Sequence, residues 1–266
     1  DPEHKFKAIS GKADDSYRLY REDVNLLASL GHQAYRMSIE WSRIEPAAGE
    51  WNQDAVDHYV DQLSLLNEKG IQPFVTLHHF THPYWFEQLG AFEKRENLRY
   101  VERYLKFLLP QISSHVAGWN VFNEFNLGPA LTTPEVGSLK FNMLRAHTLG
   151  YHLIKAYSQA PVSTAHAYIH WSPRRFHDSL DQLMTGYMDF ISNEFFFHAL
   201  RTGEMVFPNI DAEYDADMKG AVDFWAVNYY TRHMVDARNA HLEGKRFNHK
   251  LMKMIPMNFY LEEMFP

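Results

Sequence analysis

Val116-Ala117-Gly118-Trp119-Asn120-Val121-Phe122 is an apolar run that ends abruptly in Asn123 and Glu124. Seven residues rich in β-branched and aromatic side chains are too few for a buried helix and suit a strand covered on both faces. Upstream, Val101, Tyr104, Leu105 and Leu108 repeat at i, i+3, i+4 and i+7, the stripe of an amphipathic helix. The same pairing recurs outward in both directions. Val56, Tyr59, Val60 and Leu63 form a second helical stripe, and strands are expected at Gln33 to Ile39, Gln72 to Leu77, Val162 to Ile169 and Val222 to Tyr229. Leu30-Gly31 and Lys69-Gly70 place glycine just past two helix ends, as left-handed caps require. Strand-helix repetition at about 40 to 60 residues per unit predicts parallel strands joined by helical crossovers. No linker or low-complexity segment interrupts it, so a single domain over 1–266 is expected.

Buried parallel strands should be apolar throughout. Here polar residues stand where each strand gives way to its loop: Arg36 and Ser38, His78 and His79, Asn123 and Glu124, His170, and Asn228 and Tyr230. Polar groups converging on the C-terminal edge of a parallel sheet are the arrangement of a barrel active site. Glu124 is the sharpest candidate. A carboxyl in an aromatic-lined site has its charged form disfavoured, which suits it to donate a proton, and Asn123 beside it can hydrogen-bond a substrate hydroxyl. The alternative is a capping or salt-bridging glutamate. Asn193-Glu194-Phe195 repeats the tripeptide inside a helical stretch and reads as structural.

Sixteen histidines include His78-His79-x-x-His82, but this segment is a strand running into a turn at Pro83, with no acidic cluster beside it. No metal or other cofactor is expected. His79 reads instead as a neutral donor to a sugar hydroxyl. Arg36, directed inward, needs an anionic partner, for which Asp23 and Glu40 are candidates. Neither a nucleophile elbow nor a phosphate-binding glycine loop is present.

Composition narrows the function classes. The 266 residues are 45% hydrophobic and 22% charged, ordinary for a chain with a real core. A net charge of −7 disfavours nucleic-acid binding. Cysteine is absent, which excludes disulfides and thiolate nucleophiles. With no apolar run of membrane-spanning length and no signal-peptide pattern at Asp1-Pro2-Glu3-His4, a cytoplasmic protein without a membrane partner is expected. A first residue other than Met suggests a processed or excerpted chain. The 6 Trp, 15 Tyr and 19 Phe fit either a sugar-binding cleft or a dense aromatic core.

These residues carry a resemblance. Tyr35-Arg36-Met37-Ser38-Ile39-Glu40-Trp41-Ser42-Arg43-Ile44-Glu45-Pro46, Thr76-Leu77-His78-His79-Phe80, Phe122-Asn123-Glu124 and Val227-Asn228-Tyr229-Tyr230-Thr231 are similar, in order and spacing, to glycoside hydrolase family 1, the β-glucosidase family. The resemblance implies a (β/α)8 TIM-barrel fold, an α/β architecture, and retaining hydrolysis of β-glucosides or related β-glycosides. It implies Glu124 as the acid/base, His79 and Asn123 as glycone ligands, and Arg36, Asn228 and Tyr230 around the nucleophile.

The departures are as specific. Retaining hydrolysis needs a second carboxylate about 5 to 5.5 Å from the acid/base. The family's Thr-Glu-Asn-Gly motif on strand seven, which supplies it, does not occur here, and strands one and eight are unmatched as well. The chain therefore resembles strands two to six, about five of eight βα units. Phe125 stands where the family usually has Pro, and Asn126 where many members have an aromatic residue. Among Glu40, Asp223, Glu243, Glu262 and Glu263, Glu40 is the least poor substitute nucleophile. Hydrolysis by this chain is expected to be weak or nil, the alternative being a non-catalytic sugar-binding or scaffold barrel fragment. Five parallel strands leave two open edges, so self-association is expected.

Overall fold

A computed structural model describes residues 11, 13–127 and 132–239 of the chain. In chain order the elements are α1 (Ser16–Ser29), β1 (Ala34–Ser38), α2 (Trp41–Ile44), α3 (Gln53–Glu68), β2 (Gln72–His78), α4 (Tyr84–Gln88), α5 (Leu98–Ile112) and β3 (Gly118–Asn123). There follow α6 (Pro134–Tyr157), β4 (Val162–Pro173), α7 (Ser179–Asp189), α8 (Phe195–Thr202), β5 (Glu204–Met205), β6 (Glu213–Tyr214) and β7 (Ala226–Val235). Strands β1, β2, β3, β4 and β7 pair in that order, all parallel, as the strand-helix alternation requires. β5 and β6 form a separate two-residue hairpin that the sequence pattern does not signal.

The helical stripes sit where periodicity puts them. Val56, Tyr59 and Leu63 of α3 and Val101, Tyr104, Leu105 and Leu108 of α5 are buried, in one hydrophobic cluster with Val75 and Leu77 of β2 and Trp119 and Val121 of β3. Asn52 caps α3 by accepting from the Ala55 N–H, and Thr133 caps α6 from Val136, with Pro134 opening the helix. Gly31 and Gly70 take φ values of 76° and 72°, the left-handed caps that end α1 and α3 and redirect the chain into β1 and β2. Every residue of β3 is buried, as a central strand demands, whereas Ala34, Arg36 and Ser38 of the edge strand β1 are exposed.

The last two strands of the sheet differ from the sequence expectation. The last strand begins at Ala226 rather than Val222, because Asp223 is spent on closing the loop. Its carboxylate accepts from the Val162 N–H and the Tyr151 hydroxyl and pairs with Lys155. Both β4 and β7 also run on past Ile169 and Tyr229, pairing out to Pro173 and Val235 as a two-stranded extension beyond a register shift at Tyr168/Ile169. Trp171 stacks on His233 across this extension, and Arg174 and Arg175 pair with Asp236 at its end. Exposed His170 therefore lies within a strand and not at a strand-to-loop junction.

Candidate active site

The polar edge expected from sequence assembles around β3. β1 ends at Ser38, β2 at His78 and β3 at Asn123, so three strand ends deliver Arg36, Ser38, His79, Asn123 and Glu124 to one side. Although β7 runs on, Asn228 is level with Ala167 of β4, and Asn123 with Ala165, which brings Asn228 across to the β3 end. Its side-chain amide donates to Glu124 Oε1 at 2.7 Å and to Asn123 Oδ1 at 3.2 Å. Asn123 Oδ1 also accepts from Arg36 Nη2 at 2.7 Å, and Arg36 Nε donates to Thr76 Oγ1 at 3.0 Å. Arg36, Thr76, Asn123, Glu124 and Asn228 thus form one connected polar network over four strands.

Glu124 is buried and takes φ 52°, a left-handed conformation that non-glycine residues seldom adopt. Its N–H donates to the Ala165 carbonyl at 2.7 Å, so strand pairing continues one residue past β3 before the chain turns. Sparsely populated backbone of this kind gathers at functional sites, where surrounding structure holds it. The Glu124 carboxylate, by hydrogen bonding and charge, raises the phenol of the exposed Tyr230 above its ordinary pKa. Desolvation lowers Arg36, and the charges of Glu124 and Tyr230 oppose that shift.

His79 lies at the rim, its Nδ1 within 3.0 Å of Ser38 Oγ. Desolvation and then the nearby Arg36 charge lower its pKa, favouring the neutral ring. His78 and His82 form a different structure. His78 Nε2 meets His82 Nδ1 at 3.2 Å, and His82 Nε2 meets Glu87 Oε2 at 2.9 Å, in a cage of Phe86, Phe92 and Phe122 rings. Burial, with the neighbouring His82 next, pushes His78 down to about 3. Among the described residues no group of three or more His, Asp or Glu side chains is arranged to hold a metal ion.

Several sequence expectations are corrected. Neither Asp23 nor Glu40 partners Arg36; Asn123 and Thr76 take its hydrogen bonds, and Glu124 supplies the opposing charge. Glu40 accepts from the Ser42 N–H and hydroxyl and from Thr81 Oγ1, which commits it to capping α2 and the β2 loop. Glu243, Glu262 and Glu263 lie outside the described residues. Asn193 and Glu194 occupy a π-turn between α7 and α8. Asn193 donates to the Ile169 carbonyl and Glu194 pairs with Arg201, the structural use expected of that copy.

Thr76, Asn126 and Lys140 were not singled out as site residues. Asn126 locks the stretch after Glu124 with a side chain that donates to the Ala167 and Ser192 carbonyls and accepts from the Ala167 N–H. The signal for Lys140 was its place on the buried stripe of α6, three residues after Gly137 and four before Leu144, where a cation demands a partner.

A five-stranded parallel sheet wrapped by helices, with its polar residues at the C-terminal strand ends, defines a chain of the (β/α)8-barrel class. Residues 2–260 match the family described as glycosyl hydrolase family 1, and the chain belongs to it. A 6-phospho-beta-galactosidase of Clostridium acetobutylicum is 27% identical over 261 residues, covering 85% of this chain and 54% of that protein. Among solved structures, a beta-glycosidase from Pyrococcus horikoshii superposes with a TM-score of 0.74 at 31% identity, covering 83% of this chain and 53% of its own. A beta-glucosidase from Exiguobacterium marinum superposes at 0.81 with 25% identity, covering 95% and 61%. The chain thus spans about half to six-tenths of these relatives, consistent with its five-stranded half-barrel. Among the described residues no helix is long and apolar enough to cross a membrane.

Proposed function

We propose that this chain carries the acid/base half of a retaining β-glycosidase site, acting on a β-glucoside or related sugar. The observation that carries it is Glu124: a buried carboxylate at the end of β3, held by Asn228 and faced by Arg36 and Tyr230. In this reading Glu124 protonates the departing glycosidic oxygen and later takes the proton of the incoming water. Asn123 and neutral His79 bind glycone hydroxyls. Arg36, Asn228 and Tyr230 present donors and positive charge where a second carboxylate would attack the anomeric carbon.

Among the described residues, the hydrogen-bond and charge partners of Glu124 include no second carboxylate. Double displacement requires one, so turnover calls for a second carboxylate beyond those the described residues place beside Glu124. That observation also favours a second reading, sugar binding without turnover. Aryl β-glucoside hydrolysis and calorimetric glucoside binding, each by the wild-type chain and a Glu124→Gln variant, decide between them. Turnover that Glu124→Gln abolishes supports catalysis. Binding without turnover supports the second reading, and neither binding nor turnover defeats both.

Among the described residues β1 and β7 are the outer strands of the sheet. Leu19, Leu26 and Leu30 are exposed on and beside α1 at one edge, and Trp225, Val227 and Tyr229 at the other. These surfaces favour self-association, and a monomeric sedimentation profile excludes it.

A further inference from the structure

Lys140 projects from α6 into the protein, 4% exposed. Its Nζ lies 2.9 Å from the Phe125 carbonyl oxygen, 2.8 Å from that of Asn126 and 3.2 Å from that of Leu127. Three successive carbonyls are turned toward one point, and a single ammonium, with three donors, satisfies all three. The Phe195 ring stands 5.6 Å from Nζ. Among the described residues no carboxylate pairs with it, and burial alone shifts its pKa.

The convergence of those carbonyls follows from Glu124. Its left-handed φ of 52° reverses the chain at the end of β3, and the Leu127 N–H closes the turn onto the Glu124 carbonyl at 3.1 Å. Asn126 pins the far side of the turn to β4 and to Ser192. Glu124 is thus held by strand pairing before it and by the lysine and Asn126 after it.

We infer that Lys140 is a positioning residue for Glu124, clamping the carbonyls of Phe125, Asn126 and Leu127 so that Glu124 keeps the strained backbone that aims its carboxylate at Asn228. This deepens the proposed function and rests on it for the role of Glu124, while the clamp itself is testable apart from any sugar. Burial pushes Lys140 down to about 7, so its charge changes within the neutral range. The titratable group facing it is His166 of β4, which burial pushes down to about 4, so the ring stays neutral there.

Two measurements test the clamp. The first is a double-mutant cycle of Lys140→Met and Glu124→Gln, read by binding of a glucose-configured imidazole. Its ring nitrogen stands where the glycosidic oxygen would meet the Glu124 proton. Positioning predicts about tenfold weaker binding on Lys140→Met with Glu124 present and less than about twofold in the Glu124→Gln background. Equal losses in both backgrounds overturn the inference. The second uses the wild-type chain alone: hydrogen exchange at the Leu127 amide from pH 6 to 8, corrected for intrinsic exchange and referenced to Val75 in β2. Loss of the Lys140 proton should accelerate Leu127 at least about threefold over Val75. Parallel rates overturn the clamp, and this arm decides if Lys140→Met fails to fold. A wild-type chain that binds no imidazole sinks the glycosidase reading and leaves the clamp to be judged on exchange.

Discussion

Replacing Asn126 with alanine is expected to destabilise the chain more than most polar-to-alanine changes. The Asn126 side chain is buried and makes three hydrogen bonds to backbone: 2.8 Å to the Ala167 carbonyl, 2.9 Å to the Ser192 carbonyl and 3.0 Å from the Ala167 N–H. Ala167 borders the register shift of β4, and Ser192 lies in the π-turn between α7 and α8. Alanine can serve neither. At about 1 kcal/mol per bond, the three bonds together are worth about 3 kcal/mol. With a urea slope of about 2 to 3 kcal/mol/M, the unfolding midpoint should fall by about 1 M at unchanged slope. Equilibrium urea unfolding followed by tryptophan fluorescence measures this directly. A midpoint within about 0.3 M of wild type would refute the reasoning, because it would mean that water or a relaxed backbone satisfies all three groups.

Gly118→Ala should cost about 1 to 3 kcal/mol by overpacking, since its new methyl would stand 2.4 Å from Phe74 Cε1 and 2.5 Å from Cδ1. Adding Phe74→Leu should recover most of the loss, and thermal unfolding of the single and double variants checks both. His147, buried between Thr164 Oγ1 and the Ala221 carbonyl, is pushed by burial from 6.5 down to about 4. The unfolded chain therefore binds the extra proton between those values. Stability falls as pH drops through that window, by about 2 kcal/mol from this group between pH 7 and 5. His147→Gln should remove that share of the acid sensitivity, and unfolding midpoints at the two pH values that shift equally for variant and wild type would count against it.

The strand-helix alternation, the two glycine caps and the buried stripes of α3 and α5 were legible because each depends on spacing within one short segment. Residue identity and position at a strand end marked Arg36, Ser38, His78, His79, Asn123, Glu124, His170, Asn228 and Tyr230, and the family resemblance narrowed these to Arg36, His79, Asn123, Glu124, Asn228 and Tyr230. The partners of Arg36 were not legible from sequence. Asp23 and Glu40 looked suitable by charge, but the acceptors are the neutral Thr76 on the neighbouring strand and Asn123 one strand further, chosen by strand register. The start of β7 was misplaced because Val222 and Asp223 have strand-like neighbours, while Asp223 folds back onto the first residue of β4 through a contact 61 positions away.

The sequence by itself determined a parallel α/β half-barrel, its family and the edge at which polar chemistry collects. Apolar periodicity and strand-end residue type are local properties that survive without coordinates. Only the tertiary structure decided that Glu124 takes a left-handed backbone, that Asn228 holds its carboxylate, and that a buried lysine from α6 gathers the three carbonyls after it. Those facts depend on hydrogen bonds between elements far apart in the chain, whose geometry is fixed by packing and register rather than by the identity of neighbouring residues.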